Sequence, residues 1–225
     1  MSSPDVKVGA GIPRYVDVLF SFCGLLISAP MLVLVSAAVA ISSRGSIIFR
    51  QTRMGFGGRT FTLYKFRTMQ VNNDGLPVTA SDDNRITPVG RFLRKTKLDE
   101  LPELWNVLTG DMALVGPRPE VPHFVDIKNP LWQIVLLSKP GITDPVTLLL
   151  RNEETLLASV NGDRETFYLQ ALQPFKLQGY VSYLRQRSWR TDVSVMCKTL
   201  IAVLQPAKYP PPTLPEIFTS AETLQ

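Results

Sequence analysis

The chain has 225 residues, 45% apolar and only 19% charged, which excludes a disordered chain and leaves room for one sizeable core. Its net charge of +5 is unevenly spread: residues 1–98 hold 13 Lys/Arg against 5 Asp/Glu (net +8), and residues 99–225 hold 11 against 14 (net −3). A basic N-terminal half calls for an anionic partner, whether nucleic acid, acidic lipid or a phosphorylated substrate. Two cysteines, Cys23 and Cys197, show no pairing pattern and are expected to stay reduced.

Residues 16–43 carry one charge, Asp17, and none follows from Val18 to Ile41. That run exceeds the roughly 20 apolar residues of a membrane span and the about 7–15 of a signal-peptide core, which argues against a cleaved leader. Two topologies remain: a straight span, or a re-entrant helix that enters and leaves by one face. Pro30 removes a backbone donor and disfavours helical geometry at Ala29, and Ser28 is placed to satisfy backbone groups freed at a break. Basic residues flank both ends, Lys7 and Arg14 before and Arg44, Arg50 and Arg53 after, whereas positive charge marks the cytoplasmic side. The residues balance the two topologies; membrane attachment is the firm expectation.

Residues 46–69 predict a β-hairpin with strands near 47–53 and 60–66 around Gly55–Gly58. The glycines lack the third member of a dinucleotide fingerprint and read as turn residues. Lys65 and Arg67, two residues apart, share one strand face, either as a phosphate clamp or as a solvated pair. Residues 70–88 are polar and turn-rich, a surface loop.

Leu101, Leu104, Trp105 and Leu108 recur at helical spacing, predicting a helix over about 100–108 that Gly110 ends. Asp99 then falls at its N-cap, with Pro102 in the first turn. In the structural reading Asp99 caps the helix while Glu100 and Glu103 complement its dipole. In the functional reading a carboxylate held ionised at a helix N-terminus binds Mg²⁺ or attacks an electrophilic phosphorus. Arg94, and Arg118 between two prolines in "VGPRP", would hold phosphoryl oxygens.

Residues 163–186 read as helical, with Phe167, Leu169, Leu172, Phe175 and Leu177 as core, and 192–204 as an apolar-faced helix packed on the core or lying at a membrane surface. Residues 205–225 carry five prolines and read as an extended, flexible tail. His123, the only histidine, makes no zinc site with two distant cysteines.

In order, "RYVD", "FRQTRMG", "YKFRTM", "VGRFLRKTKLDELPELWNVLTGDMALVGPRP" and "KPGIT" run from about Arg14 to Gly141, more than half the chain. In that order and spacing they resemble the bacterial sugar transferases of the monotopic phosphoglycosyl transferase superfamily, of the small single-domain type. The resemblance implies transfer of a sugar 1-phosphate from a UDP-sugar to a polyprenyl (undecaprenyl) phosphate with release of UMP, feeding synthesis of a surface polysaccharide or glycoconjugate. It implies Asp99 as the nucleophile of a covalent phosphoglycosyl intermediate and Glu100 as its Mg²⁺-binding, acceptor-activating neighbour, with Asp99 and Glu100 as the metal ligands. Lys65, Arg67, Arg94 and Arg118 become phosphate-binding residues. It also favours the re-entrant helix, broken at a Ser-Pro pair in the family; here the pair is Ala29-Pro30, with Ser28 one place early.

The expected architecture is helix-rich α/β: a membrane-inserted helix within 1–45, a catalytic domain over 46–204 with a β-hairpin and interfacial amphipathic helices, and the tail from 205. The expected location is the cytoplasmic face of a bacterial inner membrane, with membrane lipid, donor and acceptor as partners, no nucleic acid, and homo-oligomerisation left open. The rival is a membrane-anchored scaffold that binds a nucleotide-sugar without turnover, and the intact Asp99-Glu100 pair argues against it.

Overall fold

Arg14–Ser42 form one helix, α1, of 29 residues with Pro30 inside it. Helical hydrogen bonding continues through Ser28, Ala29 and Pro30, so the expected break is absent from the secondary structure. A proline inside a helix removes one hydrogen bond, which a bend absorbs without ending the helix. Ser28 Oγ donates to Leu25 O at 3.4 Å, one turn back. This computed structural model describes residues 8–70, 79–205, 208 and 210–222; Lys7, positions 71–78 of the expected loop and the last three residues of the tail lie outside them.

Both ends of α1 are fastened to the same globular body. At the N-terminal end Arg14 Nη2 donates to Leu108 O and Leu114 N donates to Asp17 Oδ1, each at 3.0 Å. At the other end Val35 and Val39 are buried against Phe66 and Leu93, and Arg67 Nη2 donates to Ser43 O at 2.7 Å. Between these anchors, positions 22–34 contain no buried residue, and Leu26, Ile27, Val33 and Leu34 are exposed. So much exposed apolar surface in one segment needs an apolar partner.

Strands β1 (Ile48–Met54) and β2 (Thr60–Phe66) pair antiparallel, Ile48 opposite Phe66 and Met54 opposite Thr60, within a residue of the expected hairpin. The alternation of Leu63 and other inward side chains with solvent-facing ones sets this register. Helix α2 (Pro88–Thr96), which the periodicity left unassigned, starts where Thr87 Oγ1 accepts from Gly90 N at 2.9 Å. Helix α3 (Glu103–Thr109) ends at Gly110, whose left-handed φ of 100° suits a residue without Cβ. Its fully buried Asn106 closes the free edge of β2, accepting from Tyr64 N at 3.1 Å and donating to Thr62 O at 2.7 Å. That clamp fixes Lys65 beside α3.

Strand β3 (Ala113–Val115) and strand β4 (Gly141–Thr143), which follows helix α4 (Pro130–Val135), form a parallel pair. The two motifs meet through glycine: a Cβ on Gly141 would stand 2.1 Å from Gly116 N. This contact sets the "GPRP" loop and therefore Arg118.

Helices α5 (Pro145–Leu149), α6 (Glu153–Ala158), α7 (Arg164–Phe167), α8 (Gln173–Gln186) and α9 (Trp189–Leu204) complete the domain, with a π-helical turn, Tyr168–Leu172, joining α7 to α8. Phe167, Leu172 and Leu177 are core as expected, whereas Leu169 faces outward. Helix α9 packs on the core: Val195 and Ala202 are buried, while Leu200, Ile201 and Val203 are exposed. The expected flexible tail is corrected over Leu214–Glu222, which form α10: Ile217 is fully buried and Phe218 meets Phe167 with ring centroids 5.5 Å apart. Burial of Ile217 and the ring contact of Phe218 outweigh the local proline content.

Candidate active site

Between the hairpin, the loops before and after α3, and α5–α9 lies a cavity of about 1150 Å³. Lys65, Arg67, Arg94, Asp99, Glu100 and Arg118, all singled out in the sequence, line it.

A sharp corner builds the acidic end. Lys97 has a φ of 60°, the one left-handed non-glycine residue among those described, and turns the chain from α2 into a 3₁₀ turn, Leu98–Glu100. Strain of this kind costs on the order of 1 kcal/mol and persists where surroundings over-determine it. Because α3 starts only at Glu103, with Pro102 before it, Asp99 is not a helix cap. Its side chain is 7% exposed and its Oδ1 is buried without a hydrogen-bond partner. Burial, and then the charge of Glu100, push the Asp99 pKa up, against the pull of Lys65, Lys97 and Arg94. The expectation that backbone donors keep Asp99 ionised is therefore corrected: the helix that would supply them starts at Glu103, four residues further on.

Glu100 has the opposite environment. Its Oε1 accepts from Arg118 Nη2 at 2.6 Å and from Lys65 Nζ at 3.3 Å. Burial alone would raise its pKa, but Arg118, Lys65 and Lys97 together hold it well below the usual carboxylate range. Burial likewise opposes the charge of Arg118, and the Glu100 and Glu103 carboxylates outweigh it. Glu103 is 1% exposed, with Oε1 3.0 Å from Lys65 Nζ; burial raises its pKa against that ammonium. Lys97 and Glu103 are residues at the site that sequence reasoning passed over: Lys97 was not singled out, and Glu103 was read as a dipole partner.

The other two arginines serve different neighbours. Arg94 donates from Nε to Thr68 Oγ1 at 2.8 Å and from Nη1 to Glu154 Oε1 at 2.7 Å, so its fork is engaged on one side. Arg67 spends Nη2 on Ser43, while Nε and Nη1 are buried without partners. A guanidinium with two spare donors at a cavity wall is an anion site in waiting.

In the Asp99–Glu100 pair, Asp99 Oδ1 is buried without a protein donor, and Lys65 and Arg118 both donate to Glu100 Oε1. Among the described residues no group of three or more His, Cys, Asp or Glu converges as a metal cage. The pair fits a hard cation that takes its remaining ligands from water and phosphate, the habit of Mg²⁺.

Fold and site together define a domain that carries a long, exposed apolar helix, α1, with a buried carboxylate pair and converging cations suited to phosphoryl chemistry. The family described as bacterial sugar transferase matches residues 9–206, and the chain belongs to that family. It is 36% identical over 204 residues to a UDP-glucose:undecaprenyl-phosphate glucose-1-phosphate transferase of Klebsiella pneumoniae, covering 88% of this chain and 41% of that protein. A protein of the same name from Caulobacter vibrioides is 34% identical over 85% of this chain and 69% of its own length. The exopolysaccharide production protein ExoY of Sinorhizobium fredii is 35% identical over 72% and 79% respectively. The chain thus spans about two fifths of the Klebsiella relative.

Proposed function

We propose that the chain transfers a sugar 1-phosphate from a UDP-sugar to a polyprenyl phosphate. The observation that carries this reading is the unpartnered, buried Asp99 oxygen beside the Glu100–Arg118–Lys65 cluster. An Asp99 carboxylate oxygen attacks the phosphorus bearing the sugar. The bond from that phosphorus to the bridging oxygen breaks, and UMP leaves with the electron pair. A phosphate oxygen of the acceptor then attacks the same phosphorus, freeing the carboxylate and giving a polyprenyl diphosphate sugar. Splitting transfer into two steps lets UMP depart before the second anion arrives.

Arg118 and the spare donors of Arg67 bind phosphoryl oxygens, Lys65 and Arg118 keep Glu100 ionised, and Arg94 steadies the wall through Thr68 and Glu154. Asp99 and Glu100 would hold Mg²⁺, which would supply charge neutralisation on the diphosphate.

A membrane location follows from α1. Since both its ends are tied to one body, both lie on one side of a bilayer, with exposed residues 22–34 entering from that side. The basic flanks support a cytoplasmic assignment for that side, where a soluble donor would meet a lipid-borne acceptor.

The test is UMP release by detergent-purified protein with Mg²⁺, polyprenyl phosphate and a panel of UDP-sugars, beside Asp99→Asn and Glu100→Gln. Turnover lost in Asp99→Asn supports the reading. Activity surviving that substitution removes Asp99 from the mechanism, and no release with any donor favours a binding scaffold.

A further inference from the structure

Beyond Arg118 the cavity continues into a compartment that the carboxylate pair does not use. Glu120 follows the "GPRP" loop, Glu153 opens α6, Tyr168 opens the π-helical turn, and Lys176 and Tyr180 lie one turn apart on α8; all five line the cavity. The Tyr168 hydroxyl donates to Glu120 Oε2, and Lys176 Nζ donates to that hydroxyl at 3.1 Å and to both Glu153 oxygens at 3.3 Å. Arg53 Nη1 meets Glu120 Oε1 at 3.5 Å. Two carboxylates against two cations leave this compartment without net charge, unlike the basic phosphate end.

Two observations mark it as a built site. Tyr180 is 2% exposed, and among the described residues no hydrogen bond reaches its hydroxyl. Burial, then the carboxylates of Asp144, Glu153 and Glu120, keep it protonated, so it is a neutral donor facing a cavity. Tyr180 lines the cavity, so its hydroxyl is available to a ligand that both donates and accepts. The π-helical turn at Tyr168 is the second: such turns interrupt good helical hydrogen bonding and concentrate at functional sites.

We infer that this compartment is the sugar subsite, taking the neutral hexose of the nucleotide-sugar and bonding its hydroxyls through Tyr180, Lys176, Glu120 and Glu153. The inference rests on the transferase reading above. Each sugar hydroxyl both donates and accepts; the carboxylates accept, the ammonium donates, and Tyr180 does either. Phe124 and Tyr168, with ring centroids 5.1 Å apart, supply an apolar face for ring C–H groups. Arg118 stands at the junction, bonded to Glu100 on one side and held cationic in part by Glu153 on the other. A phosphate at Arg118 therefore directs its sugar into this compartment, and the choice of donor falls to residues on α6, the π turn and α8.

The experiment compares wild type, Tyr180→Phe and Glu153→Gln for KM with UDP-hexoses and for equilibrium binding of UDP, which lacks the sugar. Tyr180→Phe is expected to raise KM for the best donor about three- to tenfold, the loss of one hydrogen bond. Glu153→Gln is expected to reorder the panel, and UDP binding stays at the wild-type value in both. Equal losses for UDP-sugar and UDP, or no change in either variant, overturn the subsite. A wild type that binds UDP-sugar more tightly than UDP yet releases no UMP sinks the transferase reading and leaves the subsite standing. Wild-type turnover with equal binding of UDP and UDP-sugar sinks the subsite alone.

Discussion

Lys65 Nζ lies 3.0 Å from Glu103 Oε1 and 3.3 Å from Glu100 Oε1, so one ammonium from the hairpin serves two carboxylates, one of them 1% exposed. The hairpin and the dyad thereby hold each other in place. Removing the cation by Lys65→Met strands Glu103 in the interior, at a cost of about 3–5 kcal/mol. Adding Glu103→Leu removes the stranded charge and is expected to restore most of the melting temperature, since neutralising both members of a buried pair is often harmless. Turnover is expected to stay low in the double variant, because Glu100 has still lost its ammonium. Recovery of both stability and activity would mean Lys65 serves packing alone.

Arg118→Lys separates charge from geometry. The ammonium keeps Glu100 paired, so thermal unfolding is expected to stay near wild type. Lysine lacks the planar fork that meets two phosphoryl oxygens at once, and kcat/KM is expected to fall by roughly 10². Near-normal kcat/KM would remove Arg118 from phosphate binding.

Asp144, fully buried before α5, accepts from Val146 N, Thr147 N and the Thr147 hydroxyl, yet burial outweighs these donors and raises its pKa to about 6. A group whose folded pKa lies above its unfolded value, here 3.8, favours the fold below that unfolded value, and the contribution is lost as pH rises through 6. The loss approaches 3 kcal/mol as an upper figure of about 1.4 kcal/mol per pKa unit. Asp144→Asn keeps the backbone cap without ionising, so its stability relative to wild type should improve as pH goes from 4 to 7 in chemical-denaturation curves. A difference independent of pH would place the ionisation elsewhere.

The double anchoring of α1 predicts its topology. In a Cys23→Ser/Cys197→Ser background, Ala10→Cys and the exposed Ser46→Cys flank the helix. A membrane-impermeant maleimide should label both from the same side of sealed vesicles. Labelling from opposite sides would require the Asp17–Leu114 or Arg67–Ser43 bond to be broken in the membrane.

What the sequence disclosed and what it hid divide along sequence distance. The hairpin bounds and the stop at Gly110 were legible because alternation, helical spacing and turn glycines are local signals, whereas the grouping of Asp99, Glu100 and Arg118, which line one cavity, came from the resemblance to a family. Asp99 was misplaced as a cap because the left-handed turn at Lys97 carries no glycine to announce it. Arg94 and Arg67 share a motif neighbourhood with the dyad, yet their partners Glu154 and Ser43 are 60 and 24 residues away. The compartment around Glu120 and Tyr168 joins positions 48 apart, a pairing no spacing rule reaches. Helix α10 hides behind its prolines; the burial of Ile217 and the contact of Phe218 with Phe167 account for its order.

The most direct measurement of the central claim is the mass of the protein after incubation with Mg²⁺ and a turned-over UDP-sugar, without acceptor lipid. The account predicts one added sugar phosphate on the peptide carrying Asp99, absent in Asp99→Asn and discharged by polyprenyl phosphate. UMP release from a protein whose Asp99 stays unmodified, or an adduct on another residue, would contradict it.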